Sequence, residues 1–392
     1  MNESKIRTWP LLLSFTLVRF IASTAFRLVF PFLPFLARGM GVSVEQLAAA
    51  ISARSALGLF GPLLGSVADV KGRKQTLLIA LLVCSLSMFI VGFWPTYPAF
   101  LVGVVISGGA IVVIDSSIHA YIGDQIPFAR RGRAAALVEL GWSLAFVIGI
   151  PLVGLSMTRS GWNAPFIWLG VSCILAIGLI NWIVPATQTG SSSWQDLRFG
   201  LSKIISIVPL FGLLMAFLLT LANQVISIVF GIWMENSFHL QIDQLGAASS
   251  VIGLAGAVGV GCALLFTDRL GKRHSIGLGL ILNSTACLSL PLLGKHLGGT
   301  LAILFIFYLS FEFTLTSLLP LMTTLSTHAR GVFMAATLAA FSLGDSIGAL
   351  IGPRLIEKDL MGNILVSSAI NLCSLFILIV ILREEKTPEA AG

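Results

Sequence analysis

Glu312, in the stretch LSFEFTLTS, and Asp345, in FSLGDSIG, each stand alone in a long apolar run. An ionised carboxyl in such surroundings is costly, so it either finds a cation or exchanges a proton near neutral pH. No basic residue is at hand for either in the second half of the sequence. Both are therefore candidates for carrying protons, with Glu312 first and Asp345 and Asp115 next. The first half presents the opposite case. Arg19 and Asp115 lie at similar depths in two apolar runs, roughly 15 Å from one end at 1.5 Å per residue. Each is costly at that depth unless it is paired or hydrated. Arg27 and Arg54 also lie inside apolar runs, where each can bind an anionic group or pair with an acid. Asn223 and Gln224 offer hydrogen bonds to a substrate or between helices. Glu139 is expected to pair with Arg130, Arg131 or Arg133, and His119 is expected to be structural.

A second concentration of charge is GSVADVKGRK, residues 65–74, between two apolar runs. Gly72 permits a tight turn between antiparallel helices. Asp69 can cap a neighbouring helix, and Arg73 can reach an acid ending another, for which Asp124 is the candidate. The pattern returns as FTDRLGKRH, with Asp268, Gly271 and Lys272, and Asp268 lies 199 residues after Asp69. Arg131-Gly132 and Arg330-Gly331 repeat at the same offset, and Pro151 and Pro353 at 202. Three landmarks in one order point to two tandem halves.

The elements that must position these residues follow from composition. The chain is 56% hydrophobic and 10% charged over 392 residues, with a mean hydropathy of +0.97. A soluble domain carries roughly 25% charged residues. Twelve apolar runs long enough to cross a bilayer have cores near 10–36, 44–67, 75–94, 98–123, 133–157, 164–184, 204–233, 245–266, 275–294, 299–323, 331–353 and 362–382. The expected fold is all-α and polytopic, with residues 1–184 and 204–392 as six-helix halves and a Ser/Thr/Gln-rich linker at 185–203. The basic start and first run read as an uncleaved helix, lacking an A-x-A-type cleavage site. Sixteen of the 24 Lys and Arg fall in the segments that share a side with the N-terminus, and five fall in those opposite. This bias places both termini in the cytoplasm. It also accounts for the net charge of +7 without a nucleic-acid partner.

Twelve spans in a 6+6 layout with this loop motif resemble the major facilitator superfamily of secondary transporters. Gly65, Asp69, Gly72, Arg73 and Lys74 match that family's loop 2–3 motif, and Asp268, Gly271 and Lys272 form a degenerate second copy. The resemblance implies alternating access, with these residues and Asp124 latching the cytoplasmic side when it is closed. It also implies that helices one, four, seven and ten line a cavity, so that Arg19 and Asp115 can form an ion pair that is either structural or linked to protonation. Helix five, GWSLAFVIGIPLVG, carries Gly141, Gly149, Pro151 and Gly154 and partly resembles a Gly/Pro-rich motif found mostly in exporters. The expected function is proton-coupled efflux of amphipathic compounds by a monomer in the cell membrane. Proton-coupled import of a sugar or carboxylate is the alternative within this fold, and a non-transporting membrane sensor or assembly partner the alternative outside it. No nucleophile or metal constellation and no P-loop occurs in the sequence. The five cysteines lie singly in apolar runs. No enzymatic activity, cofactor or metal is expected.

Overall fold

The computed structural model describes residues 8–61, 72–185, 207–325, 330–356 and 360–380. Gly65, Asp69 and nearly all of the 185–203 linker lie outside these residues. The first span is α1 (Thr8–Arg27) followed by α2 (Leu33–Met40), and α3 (Val44–Ala56) begins the second. The third and fourth are α4 (Arg73–Phe93) and α5 (Tyr97–Gln125). The fifth joins α6 (Phe128–Leu144) to α7 (Ile150–Ser160) through a π turn, Ala145–Gly149, and the sixth is α8 (Ala164–Ile183). In the second half, α9 (Ile207–Ser227) with α10 (Phe230–Phe238) makes the seventh span. The eighth joins α11 (Ile242–Ala248) to α12 (Ser250–Leu270). The last four are α13 (Lys272–Leu293), α14 (Leu297–Leu325), α15 (Arg330–Leu355) and α16 (Met361–Val380). Eleven described helices are long and apolar enough to cross a membrane, and the second span continues into residues that are not described.

Two spans expected to be continuous are broken in mid-course. Pro31 has no N–H for the carbonyl of Arg27, so the Phe30 N–H bonds to that carbonyl instead, at 3.2 Å. The carbonyl of Phe26 thereby loses its helical donor and is taken by Arg54 Nη1 at 2.7 Å. In the seventh span the Val229 N–H likewise turns to the carbonyl of Ile226, at 3.3 Å. The freed carbonyl of Val225 accepts from Asn363 Nδ2 at 2.8 Å. In both breaks a side chain from another helix takes the orphaned acceptor, as a low-dielectric interior requires.

The tandem repeat extends to backbone detail. Gly72 and Gly271 adopt φ of 87° and 84° immediately before α4 and α13. Gly41 and His239, ending α2 and α10, are left-handed at 67° and 52°. Packing repeats too. Gly141 and Gly149 bring the fifth span against α1, where a Cβ at Gly141 would meet the Thr16 carbonyl at 2.7 Å. Gly344, Gly348 and Gly352 bring α15 against α9 in the same manner. The C-terminal half adds a buried amide network, in which Asn371 donates to Asn283 Oδ1 at 2.8 Å and Asn283 to the carbonyl of Phe307 at 2.8 Å.

The described contacts between the halves run from the middle of the bundle to the end away from the termini. Ser52 and Ser346 share a hydrogen bond at 2.9 Å. Gly231 crosses directly over the Pro31 carbonyl, and Gly246 lies under the backbone of Ile150 and Pro151. At that end Arg38 grips Glu235 with two bonds of 2.7 and 3.1 Å.

Candidate functional site

Arg19 sits on the buried face of α1 and holds two carboxylates. Its Nη1 lies 2.7 Å from Asp115 on α5, and its Nη2 lies 3.2 Å from Glu139 on α6. The pair read from matched depths is therefore present, within a larger cluster. His119, one turn beyond Asp115, places Nε2 3.0 Å from Glu139 and 3.8 Å from Asp115. Two expectations need correction. Glu139 does not pair with Arg130, Arg131 or Arg133 but turns inward to Arg19 and His119. His119 belongs to the charged cluster rather than to inert packing. Sequence spacing missed both because the three acceptors and donors converge from three helices. Asp115, His119 and Glu139 retain 34%, 41% and 44% side-chain exposure, so the cluster remains accessible to water. With His119 neutral the four groups sum to one negative charge, and one proton on His119 balances them.

About two turns further along α1, Arg27 is the last residue of the helix, just before the break at Leu28. Trp142 lies between the two arginines of α1, with the Arg27 guanidinium 3.7 Å and that of Arg19 5.2 Å from its ring centre. Arg54, only 3% exposed, lies 3.8 Å over the Phe26 ring. Among the described residues neither Arg27 nor Arg54 has a carboxylate within ion-pair distance. Glu312 and Asp345, partly buried on α14 and α15, act on Arg27 electrostatically from across the interface between the halves. Gly256 and Gly259 of α12 make room for Glu312, since a Cβ at Gly259 would stand 3.0 Å from the Glu312 Cβ. Neither acid has an ion-pair partner among the described residues, as their isolation in sequence led one to expect.

Gln224 and Asn223 lie one turn before the break in the seventh span. Gln224 is 4% exposed, and its Nε2 and the Asn223 Oδ1 are buried without partners. A small cavity of about 20 Å³ lies among Arg27, Phe30, Phe146, Gln224, Ser227 and Tyr308. That is room for about one water molecule. The larger described cavity, about 410 Å³, opens at the end away from the termini beside Glu235 and His239, away from these buried charges.

At the other end Arg73 Nε meets Asp124 Oδ2 at 3.0 Å, the pairing expected of the loop motif. Lys74 donates to the carbonyl of Asn181 at 2.9 Å, at the C-terminus of α8. Arg273, 199 residues later, donates to the carbonyls of Leu378 and Ile379 ending α16. Both cations thus sit where a helix presents its partial negative charge. Asp268, Gly271 and Lys272 lie at the junction of α12 and α13, and no ion pair of theirs is present among the described residues.

Comparison with known proteins supplies the remaining context. A family profile described as Major Facilitator Superfamily matches residues 15–353 and again 212–391. The Bacillus subtilis MFS-type transporter YceJ is 24% identical over 353 residues, covering 87% of this chain and 88% of the relative. Multidrug resistance protein 2 of the same organism is 22% identical over 384 residues, covering 95% of each. Among solved structures, a D-xylose-proton symporter superposes with a TM-score of 0.78 at 15% identity, covering 94% of this chain and 97% of that one.

Proposed function

Because the chain belongs to the Major Facilitator Superfamily, and so is a multi-pass membrane transporter and not an enzyme, we propose that it exports small amphipathic compounds in exchange for protons. The carrying observation is the placement of Glu312 and Asp345. Both are carboxyls of the C-terminal half with no ion-pair partner among the described residues, within electrostatic range of Arg27 of the N-terminal half. Alternating access moves that seam, so the surroundings of these carboxyls change with each half-cycle, and a proton can be taken up in one state and released in the other. The outer contacts at Arg38–Glu235 and Pro31–Gly231, with the exposure of the Asp115–His119–Glu139 cluster, fit a state closed outside and open inside. The outward direction rests on full-length likeness to a relative named as a multidrug resistance protein.

The test is flux of candidate compounds in liposomes holding the purified protein, with and without an imposed pH gradient. Flux should follow the gradient and lose that dependence in Glu312→Gln while the variant stays folded. Flux indifferent to the gradient in the parent protein would reject proton coupling.

A further inference from the structure

Arg27 and Arg54 are held in an unusual state for buried cations. Arg54 satisfies one of its five N–H groups on the Phe26 carbonyl, while its Nε and Nη2 are buried without any acceptor. The Nε of Arg27 is likewise buried and unpartnered. Besides the longer-range attraction of Glu312 and Asp345, the groups in contact with the two charges are aromatic: Phe26 and Phe30 lie within 6.0 Å of both guanidiniums, and Trp142 and Phe146 within 5.2 Å of Arg27. Rings offset part of the cost of burying a cation but accept no N–H hydrogen bond in the plane of a guanidinium. Each orphaned donor costs the desolvation of its N–H until an acceptor arrives. Across the small cavity the Gln224 Nε2 is a fourth unpartnered donor, carried by the half that moves against α1.

We propose that this place, between α1, α3 and α9, binds the carboxylate or sulfonate head of an aromatic organic anion. Arg27 and Arg54 grip the head, Gln224 adds a donor from the opposite half, and the rings of Phe26, Phe30, Trp142 and Phe146 receive the apolar body. A planar guanidinium matches a planar carboxylate through paired hydrogen bonds, which ammonium groups cannot do as well. The cavity of about 20 Å³ admits no such ligand in the present arrangement. Binding therefore belongs to the state in which the halves part on this side. The proposal rests on the transport reading but not on proton coupling.

The test is calorimetric titration of the purified full-length protein with 2-naphthoate and with 2-naphthamide, its neutral equivalent in shape. Naphthoate should bind at least about ten-fold more tightly, the scale of one charge-assisted contact. Arg54→Gln should weaken naphthoate by about that factor and leave naphthamide unchanged. If loss of the bond to Phe26 prevents Arg54→Gln from folding, Arg27→Gln, which breaks no backbone contact, carries the same expectation. Equal affinities for the two probes, no binding of either, or undiminished naphthoate binding in the folded variant would overturn the proposal. Because the readout is equilibrium binding, its failure is separate from failure of the pH-gradient flux assay.

Discussion

Arg19 shows how much of this interior depends on single side chains. One guanidinium neutralises Asp115 and Glu139 together, from 2.7 and 3.2 Å. Removing it leaves two carboxylates without their cation in a partly buried place. For a fully buried pair such a loss costs about 3–5 kcal/mol, and partial exposure reduces it to about 1–3 kcal/mol. Arg19→Ala should therefore lower the melting temperature of the purified protein. Arg19→Ala with Asp115→Asn should recover part of the loss, and an additive double variant would show that the two do not interact. Two pairs were legible in the sequence: Arg19–Asp115 from matched depth together with the family resemblance that brings helices one and four to one cavity, and Arg73–Asp124 from their places at helix ends. His119 and Glu139 were not, because their roles arise where three helices converge, which spacing along one helix does not report.

Among elements, the breaks in the first and seventh spans and the glycine seams decide what can move. Pro31 made the first break readable in principle, since proline withholds the N–H that Arg27 would accept. The second has no such residue, and its only sequence trace is Asn363, far away in α16, which takes the carbonyl it frees. Glycine-lined packing in α15 is made against α9. A Cβ at Gly348 would stand 2.7 Å from the Gln224 Cβ and 3.2 Å from the Leu221 carbonyl. Gly348→Val should destabilise the protein by about 1–3 kcal/mol through overpacking, seen as an earlier thermal transition. Gly178→Ala, where a Cβ meets nothing within 4 Å, should be neutral or stabilise by up to about 1 kcal/mol through lower chain entropy. An unchanged thermal transition in Gly348→Val would mean that the α9–α15 seam tolerates separation.

For the whole molecule, the contacts among the described residues that close the end away from the termini are few and lie at known places. Replacing Arg38 and Glu235 by cysteines, in a background lacking the five native ones, allows the rim to be tied by a short thiol cross-linker. Tying it should stop flux, and cleaving the tie should restore it; flux through the tied protein would show that this rim does not open. The charge arrangement adds a constraint on direction. A bound anion and ionised Glu312 or Asp345 would compete for Arg27, so proton and anion load best together. Joint loading would move 2-naphthoate inward under an inward proton gradient, whereas exchange for protons would move it outward. Liposome flux of 2-naphthoate under gradients of both signs separates the two behaviours. The repeat described in the fold also bears on ancestry. Paired turns at Gly72 and Gly271, and paired breaks near residues 28 and 228, point to duplication of a six-helix gene. At the repeat offset Glu312 answers to Val113, Asp345 to Phe146, Arg54 to Gly253 and Asp115 to Thr314. The duplicates kept the scaffold in common and divided the ionic labour, acids near the seam in one copy and cations in the other. Two identical copies could not have set unlike charges against each other across that seam in this way, so such asymmetry became available only once the halves were fused and free to diverge.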